Sequence, residues 1–465
     1  MDAAQLSPAR QRLLLAAVIS GLLLAMLDQT IVGTALPVIV RQLDGASLYV
    51  WVVTAYLVPA TVSLPVYARL SDRYGRRALL LTGMALFLLG SALSAGAQSM
   101  PQLVAFRALQ GLGAGALEGL SFILVADLYA GRRNAALQGM LAGLMGISFI
   151  AGPLVGGFLA DEVGWRWVFL VNLPIGTVAM ATLASVLPAS VGRREGRGAP
   201  LDLAGIALLT GAVGLVLVGL TQHSEVASWA DWRTGGLVVA GALAIGAFLA
   251  VERRAASPVI PLSLFADRRT AALLAAGATG AFGLYASVFL LPRYFQGVRD
   301  VSATHSGLLI YPLLIGLVVS VNVAGAVIAH RGEYRAPILA GLVLLALGSI
   351  GFATFDAGTP DWESLVFMAL IGIGVGPTLS GLQIAMQRTV TPERIGAAMG
   401  TLLLLRQVGG AVALAAAETI YVAGDDAATA TGTGVFAIAM AGAAVAALAL
   451  LTLPHAATRL VPAPA

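Results

Sequence analysis

Fourteen apolar runs, each close to 20 residues long, constrain this chain more than any other feature of its sequence. A helix needs about 20 mostly apolar residues to cross the hydrocarbon core of a bilayer. Only 11% of the residues are charged, against about 25% in soluble domains. The sequence therefore predicts an all-α integral membrane protein, with spans at 13–40, 49–68, 78–97, 102–126, 137–160, 166–187, 203–220, 234–251, 271–292, 306–329, 337–355, 364–387, 396–420 and 434–453.

The arginines test this count, because cytoplasmic loops of membrane proteins are enriched in basic residues. The chain has no lysine, so all 27 basic residues are arginines. With the N-terminus inside, 20 of them fall in cytoplasmic segments, and five fall in external loops: Arg41, Arg166, Arg233, Arg293 and Arg299. We therefore expect fourteen spans and two cytoplasmic termini in the inner membrane of a bacterium, with the first apolar run a span and not a signal peptide.

The composition also excludes several classes of function. A phosphate-binding loop of the Walker type needs a lysine, and so does Schiff-base chemistry. The absence of cysteine removes disulfides and thiolate chemistry, and the four histidines show no metal-ligand spacing. We expect no cofactor, no nucleotide, no nucleic acid and no catalytic centre.

Two basic stretches divide the predicted spans. Residues 189–202 form a glycine-rich cytoplasmic linker after six spans, and residues 252–270 form a second linker before the last six. We therefore predict a six-helix bundle at 1–188, two extra helices at 203–251 and a second six-helix bundle at 271–465. Two matching bundles are typical of transporters that rock around a central site.

Four stretches have ordered spacing. The loop after span two reads ARLSDRYGRR (68–77), span four contains RALQGLGAGALEG (107–119), span five contains GMLAGLMGISFIAGPLVGG (139–157), and span one contains LDQTIVGTALP (27–37). Together with WVVTAYL (51–57), WRWVFLVNLPIG (165–176), LPRYFQGV (291–298) and RIGAAMGTLLLLRQVGG (394–410), they resemble the major facilitator superfamily, and within it the fourteen-span drug:proton antiporters. The departures from the family patterns are Gly33, Thr34, Ala68 and Ser148.

The resemblance assigns roles to two of these stretches. In the loop, it implies a cytoplasmic latch that biases the balance between two access states, formed by Asp72, Arg73, Gly75, Arg76 and Asp127. In span five, it implies the glycine motif associated with the antiporters of the family, carried by Gly139, Gly152, Pro153, Gly156 and Gly157. A basic topology signal and a generic helix-packing face are the plainer interpretations of the two stretches.

Spans one and four contain three ionisable residues deep in the membrane, where charge is costly and usually functional. Counted from the outer ends at 1.5 Å per residue, Arg107 is about 9 Å deep, Asp28 about 18 Å and Glu118 about 25 Å. If the helices face each other, Arg107 stabilises an ionised Asp28, and burial and Glu118 oppose it. We interpret Asp28 as the main proton carrier, Glu118 as a second carrier or cation-binding group and Arg107 as the residue that tunes them. A static ion pair is the alternative.

Other polar residues in the spans give weaker signals. Glu418, close to the outer end of its span, suggests a solvated position. A possible substrate cavity has six candidates, which are equally compatible with packing or interface roles: Tyr56, Gln110, Tyr285, Tyr311, Asn322 and Gln383.

The sequence thus favours a monomeric, proton-coupled antiporter that exports amphipathic, cationic drugs or metabolites and so confers antibiotic resistance. A symporter or facilitator that imports a small nutrient is one alternative, and a membrane sensor or scaffold without transport is another.

Overall fold

The computed structural model describes residues 7–128, 146–148, 150–188, 202–226, 228–255, 258–355, 358–391, 394–424 and 426–454. Within these ranges it does not describe the side chains of residues 65, 68, 69, 72, 73, 126–128, 221, 223–226, 329 and 396. The described part of the chain is helical and contains no β-strand. The predicted fold class is confirmed.

Fourteen helices in the described residues are long and apolar enough to cross a membrane, as the sequence predicts. They are α1 (Pro8–Leu43), α2 (Tyr49–Tyr74), α3 (Arg76–Ala95), α4 (Met100–Leu128), α5 (Gly146–Gly164), α6 (Trp167–Val186), α7 (Leu203–Val226), α8 (Trp232–Glu252), α9 (Arg268–Gly297), α10 (Ala303–Ile328), α11 (Arg335–Phe352), α12 (Asp361–Thr389), α13 (Ile395–Ala423) and α14 (Ala427–Leu451).

Helix α6 is interrupted near its first turn, and this interruption positions a polar side chain. Pro174 has no N–H to donate to the carbonyl of Leu170, so the hydrogen-bond ladder breaks there. A turn at Val171 separates the short segment Trp167–Leu170 from the segment Asn172–Val186. The second segment therefore begins at Asn172, whose side chain is buried.

Glycines bring α2, α3 and α4 into close contact. A Cβ atom at Gly111 would lie 2.2 Å from the carbonyl oxygen of Tyr56 in α2, and one at Gly113 would lie 2.3 Å from the amide nitrogen of Phe87 in α3. Both distances are too short for any side chain, because the opposing atoms belong to the backbone. The two neighbouring helices therefore approach α4 at a distance that only glycine permits.

The chain divides into two compact units. The first comprises Met1–Ile206 and Ser302–Gly307, and the second comprises Ala207–Val301 and Leu308–Ala465. In the first unit, α1 packs on α4 and on α6. In the second unit, α12 packs on α10 and on α11, and α14 packs on α9, α11 and α13. The division of the chain into six, two and six helices stays a prediction.

The two extra helices, α7 and α8, pack on each other at glycines. A Cβ atom at Gly241 would lie 2.6 Å from the side chain of Val216, and one at Gly219 would lie 2.8 Å from the carbonyl of Thr234. The Thr419 hydroxyl of α13 donates to the carbonyl of Leu220, 3.0 Å away, which joins α7 to α13 within the second unit. The remaining surface of α8 is apolar and exposed, as suits contact with lipid.

We predict that Gly113→Ala lowers the thermal stability of the purified protein, because a methyl group at this position meets backbone atoms that cannot rotate away. Overpacking of this kind costs about 1–3 kcal/mol. Gly214→Ala in α7 is the matched control, since a Cβ atom there meets nothing within 4 Å. Equal melting temperatures of the two variants in detergent would show that the α3–α4 contact is not tight.

Candidate functional site

The Asp28 carboxylate lies at the centre of a polar cluster enclosed by the first unit. It is 0% exposed and lies in the interior of α1, far from both helix ends. Its Oδ2 accepts from the Arg107 guanidinium in an ion pair, and its Oδ1 accepts from the Gln110 amide at 2.8 Å and the Asn172 amide at 3.0 Å. Three N–H donors and a full positive charge are the partners that an ionised carboxylate requires when it leaves water.

The Arg107 guanidinium is also buried, and hydrogen bonds fix its position. Its side chain is 1% exposed, and its Nη1 donates to Gln110 Oε1 at 2.8 Å as well as to Asp28. Its Nε donates to the carbonyl oxygen of Val52 in α2 at 3.3 Å. The guanidinium carbon lies 4.1 Å from the ring centroid of Tyr56, which adds a cation–π contact. Three helices therefore fix one arginine.

Tyr56 closes the cluster on the α2 side. It is fully buried, and its hydroxyl donates to the carbonyl of Ala25 at 2.8 Å, one turn before Asp28 in α1. Together with Gln110, it was a candidate for a substrate cavity. The structure places both side chains in the buried cluster around the ion pair.

Asn172 and Ser91 complete the cluster and were not predicted as site residues. Asn172 Nδ2 donates both to Asp28 and to Ser91 Oγ, in each case over 3.0 Å. The Ser91 hydroxyl donates in turn to the carbonyl of Phe169, 2.8 Å away. Ser91 gives no signal in the sequence, because small polar residues are frequent in membrane helices. Asn172 lies within the family-like stretch 165–176, yet the sequence does not show that it faces α1.

Glu118 contacts the residue that follows Asp28 in α1. The Gln29 amide donates to Glu118 Oε1 at 2.8 Å, and both side chains are only partly buried. Successive residues differ by 100° around a helix. Asp28 and Gln29 therefore point in different directions from α1, and they contact Arg107 and Glu118 of α4, respectively. The structure thus gives one enclosed carboxylate and one accessible carboxylate.

The latch residues are described only in part. Gly75 ends α2 with a φ of 91°, a left-handed conformation that favours glycine. The Arg76 guanidinium is buried and donates to the hydroxyl of Ser71. The side chains of Asp72, Arg73 and Asp127 lie outside the described part of the structure.

The glycine motif of α5 packs against the stretch of α1 that follows Asp28. A Cβ atom at Gly152 would lie 1.9 Å from Thr30 Oγ1, and one at Gly156 would lie 2.4 Å from the carbonyl of Ile31. The carbonyl of Pro153 would lie 2.5 Å from a Cβ atom at Gly307. Gly157 approaches the backbone of Ala303 and Thr304, and Gly139 lies outside the described residues.

The remaining cavity candidates belong to the second unit. The Tyr285 hydroxyl donates to Gln407 Oε1 at 2.5 Å. Tyr311 and Gln383 are half-buried, and Asn322 is exposed, its amide donating to the carbonyl of Val318 in its own helix.

The expectation that Glu418 is solvated is wrong. Its side chain is 5% exposed, and both of its oxygens accept from Arg293 Nη1, at 2.8 and 2.9 Å. Arg293 was assigned to a loop, but α9 continues past it to Gly297. Its guanidinium carbon stacks 3.8 Å from the ring centroid of Tyr421. The second unit therefore contains an ion pair of its own, with a buried carboxylate and a guanidinium on a side chain that is 18% exposed.

Comparison with known proteins identifies the family. The model of the Major Facilitator Superfamily matches residues 18–414. The chain belongs to this superfamily. It is 33% identical over 396 residues to the multidrug transporter protein MdtP of Bacillus subtilis, which covers 84% of this chain and 72% of the relative. It is 32% identical over 411 residues to multidrug resistance protein 3 of the same species, covering 88% and 79%.

A solved member of the superfamily has the same fold. The xylose transporter XylE from E. coli, in a partially occluded inward-open conformation, superposes with a TM-score of 0.64 and 15% identity, covering 96% of this chain and 98% of that one. At this identity the likeness concerns the fold alone. The family match shows that the chain is a multi-pass membrane transporter and not an enzyme, and its relatives include proteins named multidrug transporter and efflux pump.

We predict that Arg107→Gln destabilises the protein by about 3–5 kcal/mol, because it leaves a buried carboxylate without its counter-charge. The double variant Asp28→Asn/Arg107→Gln recovers most of this loss, since neither charge is then buried. Denaturant unfolding of the purified protein in detergent measures both changes.

Arg299→Gln is the control for this pair of measurements. Arg299 forms an ion pair with Asp361 at 2.8 Å, in which the carboxylate is 53% exposed, and it donates to the carbonyl of Thr359 at 2.9 Å. Its loss leaves no buried charge unpaired, so it costs less than the loss of Arg107. An Arg107→Gln variant no less stable than Arg299→Gln would contradict the interpretation of the buried pair.

Proposed function

We propose that this protein is a proton-coupled antiporter that exports amphipathic, cationic drugs or metabolites by alternating access. The observation that carries this proposal is the fully enclosed Asp28 carboxylate, paired with Arg107 inside a membrane-spanning unit. A purely structural pair could be replaced by apolar side chains at little cost. An ionisable pair in a transporter unit is therefore a candidate for the coupling site.

The pair can couple two ions because its charge balance changes when a proton binds. With Asp28 ionised, the buried cluster is close to neutral. When Asp28 is protonated, the Arg107 charge is uncompensated, and the cluster repels a second cation. A proton and a cationic substrate therefore oppose each other in the same unit, which is the requirement for exchange.

Glu118 is the group that we assign to the substrate cation. Its carboxylate is partly exposed, unlike that of Asp28, and it is oriented by the Gln29 amide. An accessible carboxylate attracts a cationic group, and the surrounding apolar helices favour an amphipathic one. Asp28 then carries the proton, Glu118 binds the cation or a second proton, and Arg107 sets the charge state of the pair.

The relatives and the motifs support export. Multidrug transporter and efflux pump are the names of relatives near 32% identity. The close glycine contacts between α5 and α1 agree with the antiporter glycine motif. The glycine turn at Gly75 agrees with the pattern of the cytoplasmic latch. We propose that the protein acts as a monomer in the inner membrane of a bacterium, with both termini in the cytoplasm.

We predict that Asp28→Asn abolishes uptake of a cationic dye into inside-out liposomes that is driven by an imposed pH gradient. The asparagine keeps the shape of the side chain but cannot exchange a proton. Dye-for-dye counterflow without a gradient should persist in this variant, because counterflow needs substrate binding and movement but no proton. Fluorescence quenching of the reconstituted dye measures both fluxes.

Two further variants complete the experiment. Asp361→Asn is the matched control, since it changes an exposed carboxylate and should keep both fluxes. Glu118→Gln should weaken both fluxes. Full gradient-driven uptake by Asp28→Asn would refute the proposal, and dye movement in the direction of the proton would indicate a symporter. Dye binding without any flux would indicate a sensor.

A further inference from the structure

The Asn172 amide contacts two groups that can each act as a donor or an acceptor of hydrogen bonds. Its Nδ2 lies 3.0 Å from Asp28 Oδ1 and 3.0 Å from Ser91 Oγ. Asn172 is 1% exposed and Ser91 is 0% exposed, so neither contact can be replaced freely by bulk water. Both groups are satisfied when Asp28 is ionised, since the amide then donates to each of them.

The other two partners of Asp28 can only donate. Arg107 has no acceptor atom. Gln110 has one, but its Oε1 accepts from Arg107 Nη1 at 2.8 Å, which fixes the amide with its nitrogen towards Asp28. Turning Gln110 would place its NH₂ group against the guanidinium. Neither side chain can accept a hydrogen bond from protonated Asp28.

Asn172 is not restricted in this way. If its amide turns by 180°, its oxygen replaces the nitrogen and can accept from a protonated Asp28. The Ser91 hydroxyl, which now donates to the carbonyl of Phe169 at 2.8 Å, can rotate and donate to the same amide oxygen. A hydroxyl has one donor and two acceptor positions, so this rotation is available to it.

We propose that Asn172 and Ser91 form a two-position hydrogen-bond switch that satisfies Asp28 in both its ionised and its protonated form. In the first position, the amide donates to Asp28 and to Ser91. In the second, it accepts from both. The switch lets Asp28 take up a proton without leaving a buried O–H group opposite an N–H group, which would cost about 1–3 kcal/mol.

Among the side chains that hydrogen-bond to Asp28, Asn172 is the one that can accept a hydrogen bond from its protonated form. From α4, Arg107 contacts Asp28 directly, and Glu118 is reached through Gln29. From α2, Tyr56 faces the pair, but its hydroxyl donates to the carbonyl of Ala25. The contact from α6 is the neutral amide of Asn172. The inference rests on the proposed function, because a switch is needed only if Asp28 exchanges a proton.

Infrared difference spectroscopy during a pH titration of the membrane-reconstituted protein tests the switch. The carbonyl band of protonated Asp28 is identified by its loss in Asp28→Asn. In Asn172→Leu, this band should move to higher frequency, because the O–H group has lost its acceptor. In Ser91→Ala, the Asn172 oxygen accepts from protonated Asp28 alone, so the frequency of the same band should change in this variant as well.

Thr82→Val is the matched control for Ser91→Ala. Thr82 lies on the same helix, is exposed and donates to the carbonyl of Ala78, so its replacement should leave the band and its titration unchanged. If Asn172→Leu does not fold, the Ser91→Ala shift decides alone. A band that titrates in the native protein and is unchanged in both variants would overturn the switch while leaving the proton carrier in place. A native protein without any titrating Asp28 band would overturn both.

Discussion

The low dielectric of the membrane interior makes an isolated charge far more costly than in water, and this cost organises the first unit around Asp28 and Arg107. The carboxylate and the guanidinium are almost completely enclosed, so each depends on the other for its charge. Three further donors of the site have a defined partner within hydrogen-bond distance: the amides of Gln110 and Asn172 and the Nε of Arg107. Helices α1, α2, α3, α4 and α6 contribute to the same cluster.

The glycines of α4 make this enclosure possible. The α2 and α3 backbones approach α4 so closely that no side chain fits at Gly111 or Gly113. This close approach brings the Val52 carbonyl and the Tyr56 ring within reach of Arg107. On the other side of α1, Gly152 and Gly156 admit Thr30 and Ile31. The position of the ion pair therefore follows from tight helix packing on two sides of α1.

Much of this arrangement could be predicted from the sequence. The fourteen spans follow from the length of the apolar runs, and the arginine distribution supports their number. Counting residues along two antiparallel helices placed Asp28 between Arg107 and Glu118 in depth, which predicted Arg107 as a neighbour of the carboxylate. Depth alone does not give the rotation of a helix, so the hydrogen bond from the Gln29 amide to Glu118 was not predicted.

Other features depend on three-dimensional packing that no linear pattern shows. Asn172 is positioned by the break in α6 and by the packing of α6 on α1. The burial of Glu418 depends on Arg293, which the hydropathy pattern placed outside its span because an arginine ends an apolar run. A helix can carry such a residue inside the membrane when another helix supplies the opposite charge.

Proton release on substrate binding tests the central claim most directly. The protein in detergent, in weakly buffered solution with a pH-indicator dye, is mixed with a lipophilic cation at a pH where Asp28 is partly protonated. The account predicts that the native protein releases protons as the cation binds and that Asp28→Asn binds the cation without release. Equal release by the two proteins, or binding to the native protein without any release, would contradict it.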